Sequence, residues 1–270
     1  MLQLMQSCQD GLLLETNRLR IFVGMNEFQV VPFRVLEYSI RKSTTVPVEI
    51  SPMMDLPSPP QQRSKRGFFE MFAFYRLMIP ALTGYEGRAL YFDAESLVLG
   101  DVAELASLPF DDHSILCTPE NEPDHVFASS SGCGSDAPTA LLIDCDRLRG
   151  QINDLASLLE DDECDYDELL EALCNVVPTD VAETVPGEWN HTERYEPGFT
   201  KLLRFGNGPD KPWINDRHPF TAVWTACFEE AVSCGAVAPL EIDAAVRSGS
   251  LKPSLQRIAP IRLTTLRALK

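Results

Sequence analysis

The chain has 270 residues, of which 44% are hydrophobic and 23% are charged. These values exclude global disorder and collagen-like repeats, and the length suits one or two domains. Twenty-three Lys and Arg residues against 40 Asp and Glu residues give a net charge of −17. A field of this sign repels phosphate backbones, so no nucleic-acid partner is expected. A local basic pocket for a small phosphorylated ligand is compatible with it.

The basic residues are unevenly placed. Residues 246–270 carry six basic side chains and no acid. One interpretation, which we favour, is a segment that pairs with the acidic body of the protein. The other is a basic tail that touches an anionic membrane surface from the cytoplasmic side. We therefore delimit an N-terminal extension at 1–18, a folded domain at 19–245 and a basic C-terminal tail at 246–270.

Cysteine usage and apolar runs bear on the compartment. None of the eight cysteines forms a CxxC pair and only four histidines are present, so a structural zinc cluster is not expected. Unpaired thiols suit a reducing compartment. The N-terminus lacks the basic and apolar regions of a signal peptide, and no run reaches the roughly 18 apolar residues of a membrane span. These observations predict a cytoplasmic protein without a transmembrane segment.

Predicted strands and helices alternate along the chain. The apolar run at 19–24, the helical spacing over 30–40 and the strand at 46–50 form a βαβ unit, which starts a parallel sheet. The stretch 160–168 holds seven acids and is interpreted as a solvated helix face or turn. The remaining predictions are helices over 68–82, 101–108, 146–159 and 219–234 and strands over 87–93, 114–118 and 140–144.

Two acids, Asp93 and Glu95, directly follow the apolar strand 87–93. In open α/β sheets, ligands bind outside the carboxyl ends of the strands. Two carboxylates separated by one residue can share a hard divalent cation, which a diphosphate completes. On spacing alone, however, acids that form turns or cap helices are the better explanation.

The segment 87–105 resembles the DxD region of GT-A glycosyltransferases, and it is most similar to family 8 and its bacterial lipopolysaccharide-type relatives. Residues 21–40 resemble the opening βα unit of that family, 75–82 its Arg-Phe-x-x-Pro-x-Leu helix, and 188–213 its closing Trp-Asn and Lys-Pro-Trp signatures. The resemblance spans 19–255. It implies a single α/β domain of the GT-A (Rossmann-like) type, with a mostly parallel mixed central sheet flanked by helices.

The resemblance also implies a nucleotide-sugar site. Asp93 and Glu95 would hold Mn²⁺ or Mg²⁺ against the donor's diphosphate, and Lys211 would neutralise the leaving phosphate in catalysis. Considered without the family, an internal ion pair explains Arg76 equally well, and core packing explains Trp189 better. The residues that would bind the donor are Gly24, Met25, Arg76, Trp189, Asn190 and Trp213.

The sequence departs from the family pattern at three places. At 137–139, Ala-Pro-Thr stands where the family carries Asn-x-Gly, and the other two departures affect the acid pair and its partners. Glu95 replaces the second Asp of the motif, and Arg204 stands where a third metal ligand, a histidine, is expected. A guanidinium has no acceptor and cannot ligate a cation. Arg204 would instead act in catalysis by neutralising the diphosphate directly. In the empty protein we expect it to pair with Asp93 or Glu95, because an unpaired buried charge is costly.

The leading hypothesis is a glycosyltransferase that moves a hexose from a nucleotide-sugar, expected to be a UDP-sugar, to an acceptor hydroxyl with retention. The acceptor, whether a glycan, a lipid-linked sugar or a protein, is left open. The alternative is a glycosyltransferase-like binding or scaffold protein without catalysis. A third reading is a metal-independent enzyme that binds nucleotides or sugar phosphates. Histidines outside the motifs, such as His218, are expected at the surface.

Overall fold

The computed structural model describes residues 18–54, 75–76, 78–117, 140–149, 181–182, 185–206 and 210–258. The strands within these ranges form two sheets. The central sheet contains β1 (Leu19–Gly24), β2 (Val48–Met53), β3 (Arg88–Asp93), β5 (Ile115–Cys117), β6 (Ala140–Asp144) and β7 (Val181–Ala182), and the small sheet contains β4 (Ser96–Val98), β8 (His191–Thr192) and β9 (Leu202–Arg204).

The central sheet has the order β2-β1-β3-β6-β5-β7. β1 pairs in parallel with β2 and β3, and β5 pairs in parallel with β7. β6 runs antiparallel to both of its neighbours. The sheet is therefore mixed with mainly parallel pairs, as the family resemblance implies. In the small sheet, of order β4-β9-β8, β9 pairs antiparallel with β4 and parallel with β8.

Helices flank these sheets. The α-helices are α1 (Val30–Ser43), α2 (Val102–Ala106), α3 (Thr221–Ser233) and α4 (Pro239–Ser248), and Glu27–Gln29, Gly187–Trp189 and Pro253–Ile258 form 3₁₀ turns. Residues 75–76 and 78–82 are also helical. The 3₁₀ turn before α1 starts with a reciprocal cap, in which Asn26 accepts from Phe28 N while Gln29 accepts from Asn26 N. Such a cap satisfies backbone donors that would otherwise lack partners at a helix start.

Helix α1 connects the two hydrophobic clusters of the core. Leu36 and Ile40 pack with the strands of the central sheet, whereas Val31 and Val35 pack with β9 and α3. All four side chains are fully buried. An apolar stripe wide enough to face two neighbours explains why this helix contacts β4, α3 and α4. This packing fixes the carboxyl edge of β1 and β3 against the small sheet.

Most predicted elements in the described ranges are confirmed. The βαβ unit forms β1, α1 and β2, and the predicted strand at 140–144 coincides with β6. The predicted helix over 146–159 is wrong at its start, because residues 145–149 form turns. The rest of that helix, the acidic run 160–168, residues 68–74 and the extension 1–17 lie outside the described residues.

The predicted boundary at 245/246 falls inside α4, and the chain beyond it is packed. Leu251 and Leu255 belong to the same hydrophobic cluster as α3, and the Lys252 ammonium pairs with Asp216 at 2.8 Å. Residues 246–258 are therefore part of the folded domain, in line with the favoured interpretation of a segment that pairs with acids. Within the described ranges, no helix is long and apolar enough to cross a membrane.

Candidate functional site

The carboxyl ends of β1 and β3 form one edge of the central sheet. Their parallel register places Gly24 opposite Asp93, and the Ala94 N–H donates to the Gly24 carbonyl at 2.9 Å. The chain then turns through Glu95 into β4. This topology puts Gly24 beside both acids, at the edge where open α/β sheets bind ligands.

Asp93 lies among three donors. The Tyr91 hydroxyl donates to its Oδ1 at 2.7 Å, and the Arg76 Nη2 lies 3.6 Å from the same oxygen. The Arg204 Nη2 lies 3.8 Å from Oδ2, in agreement with the expected pairing of Arg204 with an acid of this site. Both guanidinium groups are buried, with 4% and 7% of their side chains exposed.

Arg76 also stacks on Tyr91, with its guanidinium carbon 4.8 Å from the ring centroid. Burial by itself lowers the pKa of Arg76, but Tyr91 and Asp93 oppose this effect and the net pKa lies above the ordinary value. Burial and the Asp93 charge raise the pKa of the Tyr91 phenol. Tyr91 therefore stays a neutral donor and Arg76 stays a cation.

Glu95 has its own pair of donors. The Gln29 amide donates to Oε1 at 3.0 Å and the Lys211 ammonium donates to Oε2 at 2.5 Å. Burial raises the pKa of the Glu95 carboxyl, with Lys211 and Gln29 acting in the opposite direction and the nearby Asp93 adding to the rise. The two acids and the cations Arg76, Arg204 and Lys211 therefore form one group, which we name the charged cluster.

Two basic residues of the charged cluster, Arg204 and Lys211, lie at the end of β9 and in the segment that follows it. Arg204 is the last residue of β9 and pairs with Ser96 of β4. The Phe205 N–H donates to the Glu95 carbonyl at 2.9 Å, and the Lys211 ammonium donates to the carbonyls of Phe205 and Gly206. The small sheet therefore joins the two basic residues to the acids, although Arg204 and Lys211 are more than a hundred residues away from them.

The aromatic and apolar residues that were predicted to bind the nucleotide-sugar donor lie in the hydrophobic core. Trp189 and Met25 are 1% and 3% exposed and belong to the hydrophobic cluster of the central sheet. Trp213 is 4% exposed and packs edge-on against Phe205, with ring centroids 5.7 Å apart. Asn190 is half-buried and follows the Gly187–Trp189 turn. Trp213 thus supports the segment that carries Lys211, and the donor contacts of these four residues stay predictions.

Sequence reasoning missed several partners of the site. Tyr91 is two residues before Asp93 and so on the same face of β3, which was a usable signal, whereas nothing in the sequence indicated Gln29.

The expectation of a surface position for His218 was wrong. It is 5% exposed, accepts from Phe220 N at 3.2 Å through Nδ1, and faces Glu193. The Glu193 carboxylate in turn accepts from Gly206 N, so this pair steadies the loop after β9.

The charged cluster does not fit the divalent cation that the resemblance implies at Asp93 and Glu95. Each of the four carboxylate oxygens of Asp93 and Glu95 faces a nitrogen or hydroxyl donor within 3.8 Å. Among the described residues, no group of three or more His, Cys, Asp or Glu side chains is placed to hold a metal. Arg204 has no lone pair to replace the expected histidine.

No family model matches the chain. Protein CDI of Arabidopsis thaliana is 34% identical to it over 116 residues, which are 42% of this chain and 44% of that protein. The chain therefore spans less than half of this relative.

Solved structures of several glycosyltransferases are similar to this chain. The bifunctional glycosyltransferase WbbM matches with a TM-score of 0.57 and 12% identity, over 78% of this chain and 50% of its own. GlyE of Streptococcus pneumoniae matches with a TM-score of 0.52 and 15% identity, over 82% and 64%. The galactosyltransferase LgtC, solved with donor and acceptor sugar analogs, matches with a TM-score of 0.51 and 12% identity, over 78% and 96%. The chain therefore has the GT-A fold of these glycosyltransferases.

Proposed function

We propose that the chain is a glycosyltransferase of the family 8 type, which moves a hexose from a UDP-sugar to an acceptor hydroxyl with retention at the anomeric carbon. The observation that carries the proposal is the charged cluster at the carboxyl edge of β1 and β3. Among the described residues, the charged cluster brings three buried cations together at this edge, where an anionic ligand can interact with all of them. The diphosphate group of a nucleotide-sugar is such an anion.

The chemistry required of the protein follows from the bond that breaks. Transfer separates the anomeric carbon from a diphosphate oxygen, and negative charge develops on that oxygen. Fixed cations that face a developing charge in a partly dry site lower the barrier, because they need no reorganisation at the moment of reaction. We assign this role to Arg204 and Lys211, with Arg76 holding the diphosphate.

We further assign Gly24 and Met25 to contact the nucleoside through their backbone. The residues assigned to surround the rest of the nucleotide-sugar are Trp189, Asn190 and Trp213. The acceptor is a glycan, a lipid-linked sugar or a protein hydroxyl. A cytoplasmic location is part of the proposal, and the free thiols of Cys145, Cys227 and Cys234 support it. The Mn²⁺ or Mg²⁺ expected at Asp93 and Glu95 is not part of the proposal, because the N–H and O–H donors around these acids do not fit a bound cation.

Calorimetry with UDP, followed by UDP-release assays on UDP-glucose and UDP-galactose, tests the proposal. We expect saturable UDP binding and slow hydrolysis of one of the two UDP-sugars, since water replaces the absent acceptor. Arg204→Met is expected to lose both properties, whereas Arg247→Met, a matched change on the exposed face of α4, is expected to keep both. UDP binding without turnover of any sugar nucleotide would favour the alternative of a binding or scaffold protein. No binding of UDP, GDP or ADP would overturn the proposal.

A further inference from the structure

The donors around Asp93 and Glu95 are protein groups rather than a metal ion. Tyr91 and Arg76 face one oxygen of Asp93, and Arg204 faces the other. Gln29 and Lys211 take the two oxygens of Glu95. A divalent cation at this position would have to displace several of these donors and would stand beside three fixed positive charges. Both effects oppose its binding.

Arg204 is held at this position by the small sheet. Its backbone is paired on both sides, with Ser96 of β4 and with Thr192 of β8, and its side chain is 7% exposed. The guanidinium is thus fixed next to Asp93 before any ligand arrives. A preorganised cation at this point supplies the positive charge that a metal ion would otherwise supply.

The contacts of the two arginines with Asp93 are long. Arg76 and Arg204 lie 3.6 and 3.8 Å from the Asp93 oxygens, whereas charge-assisted N–H···O bonds are typically about 2.7–2.9 Å. The buried Nε of Arg76 has no hydrogen-bond acceptor among the described residues. A phosphate oxygen at normal bonding distance would therefore compete well against Asp93 for both guanidinium groups.

We propose that Arg204 takes the place of the divalent cation, and that the charged cluster binds the diphosphate of the nucleotide-sugar without a metal. This inference rests on the proposed function and deepens it. Asp93 and Glu95 hold the three cations in position in the empty protein, and the diphosphate then takes over as their counter-charge. Glu95 then competes with the diphosphate for Lys211 and does not coordinate a metal.

Calorimetric titration of the full chain with UDP, in EDTA and in MnCl₂, tests the inference directly. We expect the same Kd in both buffers. Binding in MnCl₂ that EDTA abolishes would overturn the inference and leave the proposed glycosyl transfer intact. Absence of UDP, GDP and ADP binding in both buffers would overturn the proposed function itself, and the inference with it.

Glu95→Gln separates the two roles of this acid. The substitution keeps the shape of the side chain and removes its charge. If Glu95 competes for Lys211, the variant binds UDP in EDTA at least as tightly as the original chain. If Glu95 ligates a metal, the variant binds UDP more weakly in MnCl₂, because an amide oxygen is a poorer ligand than a carboxylate. The second result would contradict the inference.

Substitutions at Arg204 give the complementary test. Arg204→His is expected to weaken UDP binding in EDTA by roughly 10- to 100-fold, as for loss of a hydrogen bond between charged groups, and to recover part of it in MnCl₂. Arg204→Lys keeps the charge and is expected to stay insensitive to the metal, which covers the case that the histidine variant does not fold. Arg247→His is the surface control. Equal Kd values for the original chain, Arg204→His and Arg204→Lys in EDTA would overturn the assignment.

Discussion

Two groups of basic side chains in this molecule have opposite surroundings: the buried cations of the charged cluster, and the exposed Arg247 and Arg257 of the C-terminal segment. Arg76, Arg204 and Lys211 of the charged cluster expose 4%, 7% and 7% of their side chains. Arg247 of α4 exposes 69% and pairs with Asp243 one helical turn away. The first group lies at the carboxyl edge of the central sheet, and the second belongs to the C-terminal segment that makes the sequence look basic at its end.

The difference shows which of these charges need a functional explanation. An exposed ion pair costs little to form and contributes little. A buried pair must offset the desolvation of both ions, and well-packed apolar residues of similar volume are often as stabilising. If the charged cluster served stability alone, well-packed apolar residues would stabilise the fold as much without the desolvation of five charged groups. A ligand that needs several converging cations accounts for it better.

The largest effect that separates the two groups is expected from Arg76→Met. This change removes one cation and the stacking on Tyr91, and it leaves Asp93 and the Tyr91 hydroxyl in a desolvated site. Breaking a buried pair in this way lowers the free energy of unfolding by about 3–5 kcal/mol. Urea denaturation followed by tryptophan fluorescence measures the change.

The control is the double variant Arg76→Met with Asp93→Asn. When both charges are removed, no uncompensated charge stays behind at this contact, so the double variant is expected to lose less than the sum of the two single losses. Strictly additive losses would mean that Arg76 and Asp93 are not energetically coupled, and the comparison between buried and exposed charges would then fail at its main example.

Lys252 is intermediate between the two groups. Its side chain is 7% exposed, and its ammonium donates to the Pro212 carbonyl at 2.8 Å, yet its ion-pair partner Asp216 is 72% exposed. Lys252→Met keeps the buried aliphatic stem and leaves the carbonyl without its donor. We expect a loss of about 1–3 kcal/mol in the free energy of unfolding, measured as for Arg76→Met. A loss as large as that of Arg76→Met would show that exposure of the partner does not matter.

The same variant makes a prediction about pH. The hydrogen bond from Lys252 holds the pKa of Asp216 below its ordinary value. A carboxyl whose native pKa is depressed stabilises the fold above its unfolded pKa, and this contribution disappears as the pH falls through the native pKa. Lys252→Met is expected to raise the Asp216 pKa, and the stability difference between the two proteins is expected to narrow in acid. Titration of the Asp216 carboxyl by NMR checks the first point.

The local part of the site could be predicted from the sequence. An apolar strand that ends in acids, after a βαβ unit, places Asp93 and Glu95 at the ligand-binding edge of a sheet, and the structure has this arrangement. The family pattern singles out Arg204 as a departure, and the cost of a lone buried charge predicts that it pairs with Asp93 or Glu95. In the structure it faces Asp93. Strand polarity is enough to place the two acids at this edge, whereas their role as ligand-binding residues and the importance of Arg204 came from the family resemblance.

The rest depends on contacts between distant parts of the chain. β4 and β9 have three residues each, too few to show a period of two, so the small sheet that brings Arg204 to Asp93 could not be predicted. The bond between Gln29 and Glu95 spans 66 residues. α4 was not predicted, and the predicted boundary at 245/246 falls within it. That boundary follows the basic composition of the last residues, which does not show that Leu251 and Leu255 pack in the core.

The smallest effect is expected from Arg247→Gln. Its partner Asp243 lies four residues earlier on the same helix, and such exposed pairs contribute about 0.3–0.5 kcal/mol, less at high salt. The charge also lies in the last turn of α4, where a cation interacts favourably with the helix dipole, so the change is expected to be small but measurable. Urea denaturation at low and high NaCl should show a loss that salt reduces. A loss that is large and independent of salt would mean that Arg247 acts through packing, and burial would then not be what separates the two groups of basic residues.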